Sequence, residues 1–303
     1  MDTLQLLSQS LRGAIVAPPG KLLFVADYAS IEARVLLWCA QDEDGLGVFR
    51  RGDCIYCDMA SSPSLFNRPI TKKDKEERGL GKVAILGLGY QMGPKKFVDT
   101  AWNLGRITLK LESDDPDELT ATRVVEAYRK KYWRVKKLWY DQETAAGEAT
   151  YDKEGTEYEC FPCIWVKEGR FLYCRLPNGR RLAYPDPKIK MVSTSWGAQK
   201  NALTYMGVNA TTRKWHRQSS YGGLLVENIV QAISRDIMAE AMLRLEESRI
   251  YFPILSVHDE LIAEANEHRG DVTEFTTMVA KCPEWAEGCP VAAEGWAGPR
   301  YRK

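Results

Sequence analysis

The chain has no apolar run of the roughly eighteen residues that a membrane span needs, so a transmembrane anchor is not expected. Its start, Met1-Asp2-Thr3-Leu4-Gln5, carries neither a basic segment nor a cleavable apolar core. Secretion is therefore not expected, and a cytoplasmic location is (that of a host cell if the source is viral). Net charge is almost absent, at +1, which excludes a globally basic surface but not local phosphate-binding clusters. There is no internal repeat and no low-complexity linker. What remains is 303 residues, 45% hydrophobic and 27% charged, enough for one large globular domain or two modest ones.

Two local clusters of cations stand out. Lys72, Lys73, Lys75, Arg78 and Lys82 form the first. Arg129, Lys130, Lys131, Arg134, Lys136 and Lys137 form the second, for which a solvated helix face is the favoured reading. The eight cysteines read as reduced thiols. Cys54/Cys57 and Cys160/Cys163 have metal-knuckle spacing, but about a hundred residues separate the pairs, which disfavours a four-thiolate zinc site.

Leu22 to Ala26 reads as a buried strand ending at Asp27, followed by a helix over 31–39. Asp53 to Ala60 reads as a second helix. Lys72 to Tyr90 is charged and then apolar, and Glu118 to Thr144 reads as one long amphipathic helix. Residues 145–190 read as hairpins and loops, with Pro177-Asn178-Gly179 a turn. Glu227 to Glu247 is helical in pattern. Two short strands, Ile254 to Val257 and Leu261 to Ala263, flank His258-Asp259-Glu260 as a hairpin would.

An acid at a strand end is held rigidly at a sheet edge and suits Mg²⁺, which takes one or two carboxylates plus substrate phosphates. Taken alone, Asp27 reads first as a helix N-cap and His258-Asp259-Glu260 equally as an acidic turn. Together they say more. If the two strands are neighbours, Asp27 and Asp259 converge and can hold two cations for phosphoryl chemistry. Arg78, Lys82, Leu86 and Tyr90 recur every four residues, so a helix over about 76–92 presents them as one stripe. Two cations, an apolar residue and an aromatic residue match the phosphates, sugar and base of a nucleotide. The competing reading of Lys82 to Gly89 as strand and glycine turn of a dinucleotide fold lacks the third glycine, since Met92 stands there. The glycines 79, 81, 87 and 89 each weaken a helix by about 1 kcal/mol, a cost that a helix pivoting during closure could carry.

Asp27-Tyr28-x-x-Ile31-Glu32-x-Arg34, Arg78-x-x-x-Lys82-x-x-x-Leu86-x-x-x-Tyr90 and Val257-His258-Asp259-Glu260 resemble motifs A, B and C of the family-A DNA polymerases, in the same order. Asp53-Cys54-Ile55-Tyr56, Glu227-Asn228-Ile229-Val230-Gln231 and Ala292-Ala293-Glu294-Gly295-Trp296 resemble phage members. The resemblance implies an α+β fold, a right-hand palm of antiparallel sheet with helical fingers. Residues 1–40 would be the first part of the palm, 41–190 the fingers and 191–303 the second part of the palm. It implies templated DNA synthesis with two Mg²⁺ ions, Mn²⁺ being an alternative, bound by Asp27, Asp259 and the Tyr28 backbone, with Glu260 assisting. Arg78 and Lys82 would hold the triphosphate, and Lys82 would protonate pyrophosphate. Glu32 with Tyr90 would exclude a ribose 2′-OH, and Tyr90 would check the nascent pair. Ile31 and Leu86 would contact the nucleotide and Tyr56 its phosphate. His258 would lie near the primer end, and Gln231, Arg34, Glu227 and Asn228 near the primer–template minor groove.

Glu32 and the Asp259-Glu260 pair resemble DNA rather than RNA polymerases. Leu86 departs from the aromatic residue usual in relatives, which bears on sugar selection, and Ala29-Ser30 from a usual Ser-Gln. Only about 26 residues precede Asp27, so no thumb or exonuclease domain is expected within this chain, whose tail reads as a natural terminus. The expected partners are primer–template DNA, deoxynucleotides and a separate or missing thumb–exonuclease polypeptide. A non-catalytic primer–template or nucleotide binding fragment is the alternative reading, and a nicotinamide enzyme built on Gly87-Gly89 a third.

Overall fold

The computed structural model describes residues 12–115, 117–193, 197–209 and 211–302, so the first eleven residues of the expected palm segment lie outside it. The chain forms two compact units: residues 1–32 with 232–303, and residues 33–231.

The first unit is built on one four-stranded antiparallel sheet, in the order β11-β1-β10-β9. Its strands are β1 (Lys21–Tyr28), β9 (Phe252–Val257), β10 (Glu260–Asn266) and β11 (Ala293–Gly298). β1 lies inside the sheet, and both of its faces are covered. This explains why its sequence is a continuous apolar run rather than an alternation. On one face Leu23 and Val25 pack with Ile262, Tyr301 and Trp296. On the other, Phe24 meets the rings of Tyr251 and Phe275 at 5.3 and 5.7 Å, Phe275 belonging to helix α9 (Val272–Ala280). Tyr28 on this second face donates its hydroxyl to the Val279 carbonyl at 3.0 Å. Pro253 falls on the edge strand β9, where a missing N–H breaks no ladder bond on the open side.

The second unit holds helices α1 (Ile31–Cys39, all but its first two residues), α2 (Glu43–Arg50), α3 (Ile55–Ala60), α4 (Lys75–Leu88), α5 (Pro94–Gly105), α6 (Ala121–Lys131) and α7 (Trp133–Tyr151). It also holds two antiparallel meanders. One is β2 (Glu157–Cys160), β3 (Cys163–Glu168), β4 (Phe171–Arg175) and β5 (Arg181–Pro185). The other is β6 (Lys188–Ser193), β7 (Gln199–Val208) and β8 (Trp215–Ser219). Helix α8 (Gly222–Glu247) begins here and ends in the first unit.

Several expectations need correction. The long helix over 118–144 is two helices, broken at Tyr132 (φ −101°, ψ 52°), whose ring is buried against Tyr128 at 4.9 Å. The second of them runs on to Tyr151, because Ala145, Ala146 and Ala149 combine high helix propensity with burial. The stripe helix ends at Leu88, so Tyr90 lies in the turn beyond it. Lys82 to Leu88 is helical, which removes the strand-and-glycine-turn reading. The compact units themselves divide at 32 and 231, and β7 stays with β5, where Tyr205 meets Tyr184 edge-on at 5.0 Å. The turn at 177–179 forms as read, with Gly179 at φ +86° and the Asn178 side chain accepting the Arg180 amide at 3.0 Å.

The glycines of α4 serve packing. A Cβ on Gly81 would lie 2.0 Å from the Tyr56 carbonyl oxygen of α3, and one on Gly87 would lie 3.2 Å from the Thr100 methyl of α5. Gly79, by contrast, faces open space. Replacing Gly79 with Ala is therefore expected to stabilise the chain by about 0.4–1 kcal/mol. Gly81→Ala should destabilise it by about 1–3 kcal/mol through overpacking. Urea unfolding of the two variants checks this, and equal shifts would refute it.

Candidate functional site

The sheet of the first unit brings the predicted acids together. Asp27, the seventh residue of β1, is directly opposite Glu260, the first of β10. The Tyr28 amide donates to the Asp259 carbonyl at 3.0 Å. Opposed residues of an antiparallel pair have Cα atoms about 4.5–5.5 Å apart and side chains on one face. Asp27 lies inside the strand, four positions before the first helical residue, too far away to cap α1. Asp27 and Asp259 are both half-buried.

Val257 pairs with Glu260, which leaves His258 and Asp259 as a two-residue hairpin turn. His258 sits at φ +53°. A left-handed non-glycine residue is uncommon, and it is the primed geometry that suits a two-residue hairpin. The turn thus aims two polar side chains from the end of a sheet whose faces are apolar.

Two further residues join this end of the sheet, and the motif reading had given neither a role. Glu294 of β11 pairs with Asp27 from the other side, so Glu294, Asp27 and Glu260 form a row across three strands. Like charges directly opposite one another destabilise a sheet, and bound cations relieve that cost. Tyr301 is buried and donates its hydroxyl to Glu260 Oε2 at 2.5 Å. Burial first, and then the Glu260 carboxylate, push the Tyr301 phenol up to about 12. Nothing in the local pattern around Tyr301 signals this contact, which joins residues 41 positions apart.

Among the described residues, no three or more His, Cys, Asp or Glu side chains form a complete metal-binding group. The Asp27–Asp259 end suits a hard cation that takes only one or two protein carboxylates and completes its shell with substrate and water oxygens.

In the second unit, Lys82 and Leu86 are exposed on one face of α4, and Arg78 is half-buried one turn earlier. The Arg78 guanidinium lies 5.5 Å above the Tyr56 ring, and its side chain hydrogen-bonds the Cys54 thiol. That bond raises the Arg78 pKa, outweighing burial, which lowers it. Burial opposes ionisation of Cys54, but hydrogen bonds from Cys57 and Arg78 outweigh it and lower the thiol. Tyr56 and the first thiol pair therefore position Arg78. The turn carrying Tyr90 is anchored as well: the Trp139 indole donates to the Gly89 carbonyl at 2.7 Å, and Gln91 accepts the Gly223 amide at 2.9 Å.

The remaining predicted residues are spread over several elements. Ile31 is buried and Glu32 exposed in the first turn of α1. The Arg34 guanidinium stacks over Phe49 at 4.1 Å. On α8, Gln231 is exposed and Glu227 half-buried, while Asn228 donates to the Tyr184 hydroxyl at 3.2 Å.

With this geometry in view, comparison places the fold first. The polymerase domain of Pol1 from M. smegmatis, solved as a complex with DNA primer-template and dNTP, superposes over 96% of this chain with a TM-score of 0.62 at 20% identity, the match covering 42% of that chain. Residues 4–158 match the model of DNA polymerase family A, and the chain belongs to that family. It is 34% identical over 299 residues to the DNA polymerase of Bacillus phage SP02, a match spanning 98% of this chain and 44% of the relative. It is 26% identical over 275 residues to the thermostable DNA polymerase I of Thermus thermophilus, spanning 88% of this chain and 25% of the relative. The chain thus spans less than half the length of these curated relatives.

Two outcomes follow from these contacts. Tyr301→Phe removes a hydrogen bond to a buried carboxylate and should cost about 1.5–3 kcal/mol in stability, read from chemical denaturation; no change would refute the contact. At the start of α4, Asp74 accepts from the Thr71 amide and hydroxyl, each at 2.8 Å, and from Arg68 at 3.0 Å, bonds that hold its pKa down to about 2. A carboxyl lowered on folding stabilises the fold above its unfolded pKa and loses that contribution as pH falls through the folded value. An NMR titration of Asp74 should therefore have its midpoint near 2, and an ordinary midpoint would disprove the bonding.

Proposed function

We propose that this chain is the catalytic part of a DNA-directed DNA polymerase, transferring deoxynucleotides to a primer 3′ end by two-metal chemistry. The observation that carries the proposal is the register of β1 with β10, which sets Asp27 beside the Asp259-Glu260 hairpin end. Family membership supports DNA synthesis in general terms.

Asp27 and Asp259, with the Tyr28 carbonyl, would hold two Mg²⁺ ions, or Mn²⁺ in their place. When bound, such ions activate the primer hydroxyl and neutralise charge on the leaving pyrophosphate. Glu260 supports the acidic end of the sheet, its orientation held by Tyr301. Arg78 and Lys82 grip the triphosphate, and Lys82, exposed on α4, donates a proton to pyrophosphate. Positioning and neutralisation of this kind account for most of phosphoryl-transfer catalysis. Tyr56 supports Arg78, whose guanidinium lies over its ring, and would meet the substrate phosphate with it. Leu86 contacts the sugar, and Tyr90 checks the nascent pair from its anchored turn. Glu32 bars a ribose 2′-OH, while Ile31 gives the nucleotide an apolar contact. His258 meets the primer terminus. Gln231, Arg34, Glu227 and Asn228 contact the minor groove of primer–template DNA.

A thumb–exonuclease polypeptide is the proposed partner, because gripping duplex by its phosphates dominates affinity. The work would take place in the cytoplasm, that of the host if the source is a phage.

Primer extension by the chain, with and without a thumb-bearing polypeptide, tests the proposal. Asp27→Asn and Asp259→Asn should each lower extension by on the order of a thousandfold while leaving the circular dichroism unchanged. Salt-sensitive DNA binding without extension under either condition would instead mark a non-catalytic binding fragment.

A further inference from the structure

The second basic cluster, read from the sequence as a solvated face, has a different character in the fold. The break at Tyr132 starts α7 at Trp133, whose side chain remains 53% exposed. Arg134 lies 5.0 Å above that indole ring and donates to the Gln41 carbonyl at 2.8 Å. Beside them opens a cleft of about 520 Å³, within the size range that takes a small ligand. Trp133, Arg134 and Lys137 line one side of it, and Tyr158 and Phe161 of the β2–β3 turn line the other.

The far wall is built in advance. Gln142 is fully buried, and its amide donates to the carbonyls of Cys160 and Phe161 at 3.0 and 3.2 Å. The Trp165 indole fixes the same amide from behind at 2.7 Å. The backbone of the turn is thus tied to α7, while the Phe161 ring remains 46% exposed and rests edge-on against Trp38 at 5.2 Å. Tyr158 is fastened by its hydroxyl to Asp152 at 2.7 Å. Large aromatic side chains on two elements are thus left substantially exposed beside the cleft.

Charge is distributed unevenly around the cleft. Arg134 and Lys137 are its cations, with Lys136 exposed outside it on the same helix. Asp141, Glu148 and Glu159 are its acids, and Lys137 is already paired with Asp141 at 2.5 Å. An occupant with several phosphates crowded together would be repelled by the acids. A single phosphate beside Arg134 and Lys137, followed by a flat apolar ring, fits both the charges and the walls.

We propose that this cleft takes an unpaired nucleotide of single-stranded DNA, with its base against Trp133 and Phe161 and its phosphate at Arg134 and Lys137. The inference rests on the polymerase reading, because a template must be unpaired where it is read. Aromatic stacking with a backbone cation holds any base regardless of identity, as a strand of arbitrary sequence requires.

The test is fluorescence anisotropy of a labelled oligothymidylate of about twelve nucleotides, compared with a blunt duplex of equal length, using the full chain. Trp133→Ala and Phe161→Ala should each weaken single-strand binding about tenfold and leave duplex binding unchanged. Lys137→Gln should lower the slope of log affinity against log salt by about one. Two elements carry the variants, and thermal midpoints equal to that of the parent chain confirm folding. Absence of oligonucleotide binding, unchanged affinity in both aromatic variants, or equal losses for duplex would overturn the cleft assignment. Binding that depends on Trp133 in a chain that never extends a primer would overturn the polymerase reading and leave the cleft intact.

Discussion

The antiparallel pairing of β1 with β10 organises the first unit. Seven consecutive residue pairs, from Lys21↔Asn266 to Asp27↔Glu260, join the beginning of the chain to a segment more than 230 positions away. Because side chains alternate along a strand, a slip of one residue would exchange the two faces. Leu23 and Val25 would leave the cluster around Ile262 and Tyr301, and Phe24 would lose Tyr251 and Phe275. Burial on both faces therefore specifies the register, and the register sets Asp27 against the hairpin acids. The apolar core and the acidic end of the sheet are two consequences of one alignment.

A similar economy governs the second unit. Its stripe helix contains three glycines, Gly79, Gly81 and Gly87, which a helix tolerates only at a cost in backbone entropy. At Gly81 the absent side chain lets the α3 backbone approach α4, and that approach carries Tyr56 and Cys54 to Arg78. Close packing thus positions a cation, while Lys82 and Leu86 remain exposed on the outer face. The closure motion suggested by the glycine content is not required to account for Gly81 or Gly87, since each meets a neighbour.

How much was legible depended on the range of the interaction concerned. The apolar strand before Asp27, the hairpin at His258-Asp259, the turn at Gly179 and a helix carrying Arg78, Lys82 and Leu86 follow from local pattern and turn chemistry, and all four form, although the helix read over about 76–92 ends at Leu88. The break at Tyr132 did not follow, because nothing in that amphipathic run disfavours a helix; burial of the ring beside Tyr128 decides it. The roles of Glu294 and Tyr301 were equally hidden. One depends on which strand lies on the far side of β1, and the other on how the last residues return to the sheet.

The sequence by itself determined the chemical inventory: acids after apolar strands, cations at four-residue spacing on a helix, and motifs in the order of one polymerase family. Those features are local, and periodicity and side-chain chemistry express them directly. Tertiary structure decided which acids stand opposite one another, which hydroxyl reaches Glu260, why Gly81 must be glycine, and that Trp133 and Phe161 face a common cleft. Each of these is a contact between residues distant along the chain, selected by register and by the filling of space, and no local pattern carries that information.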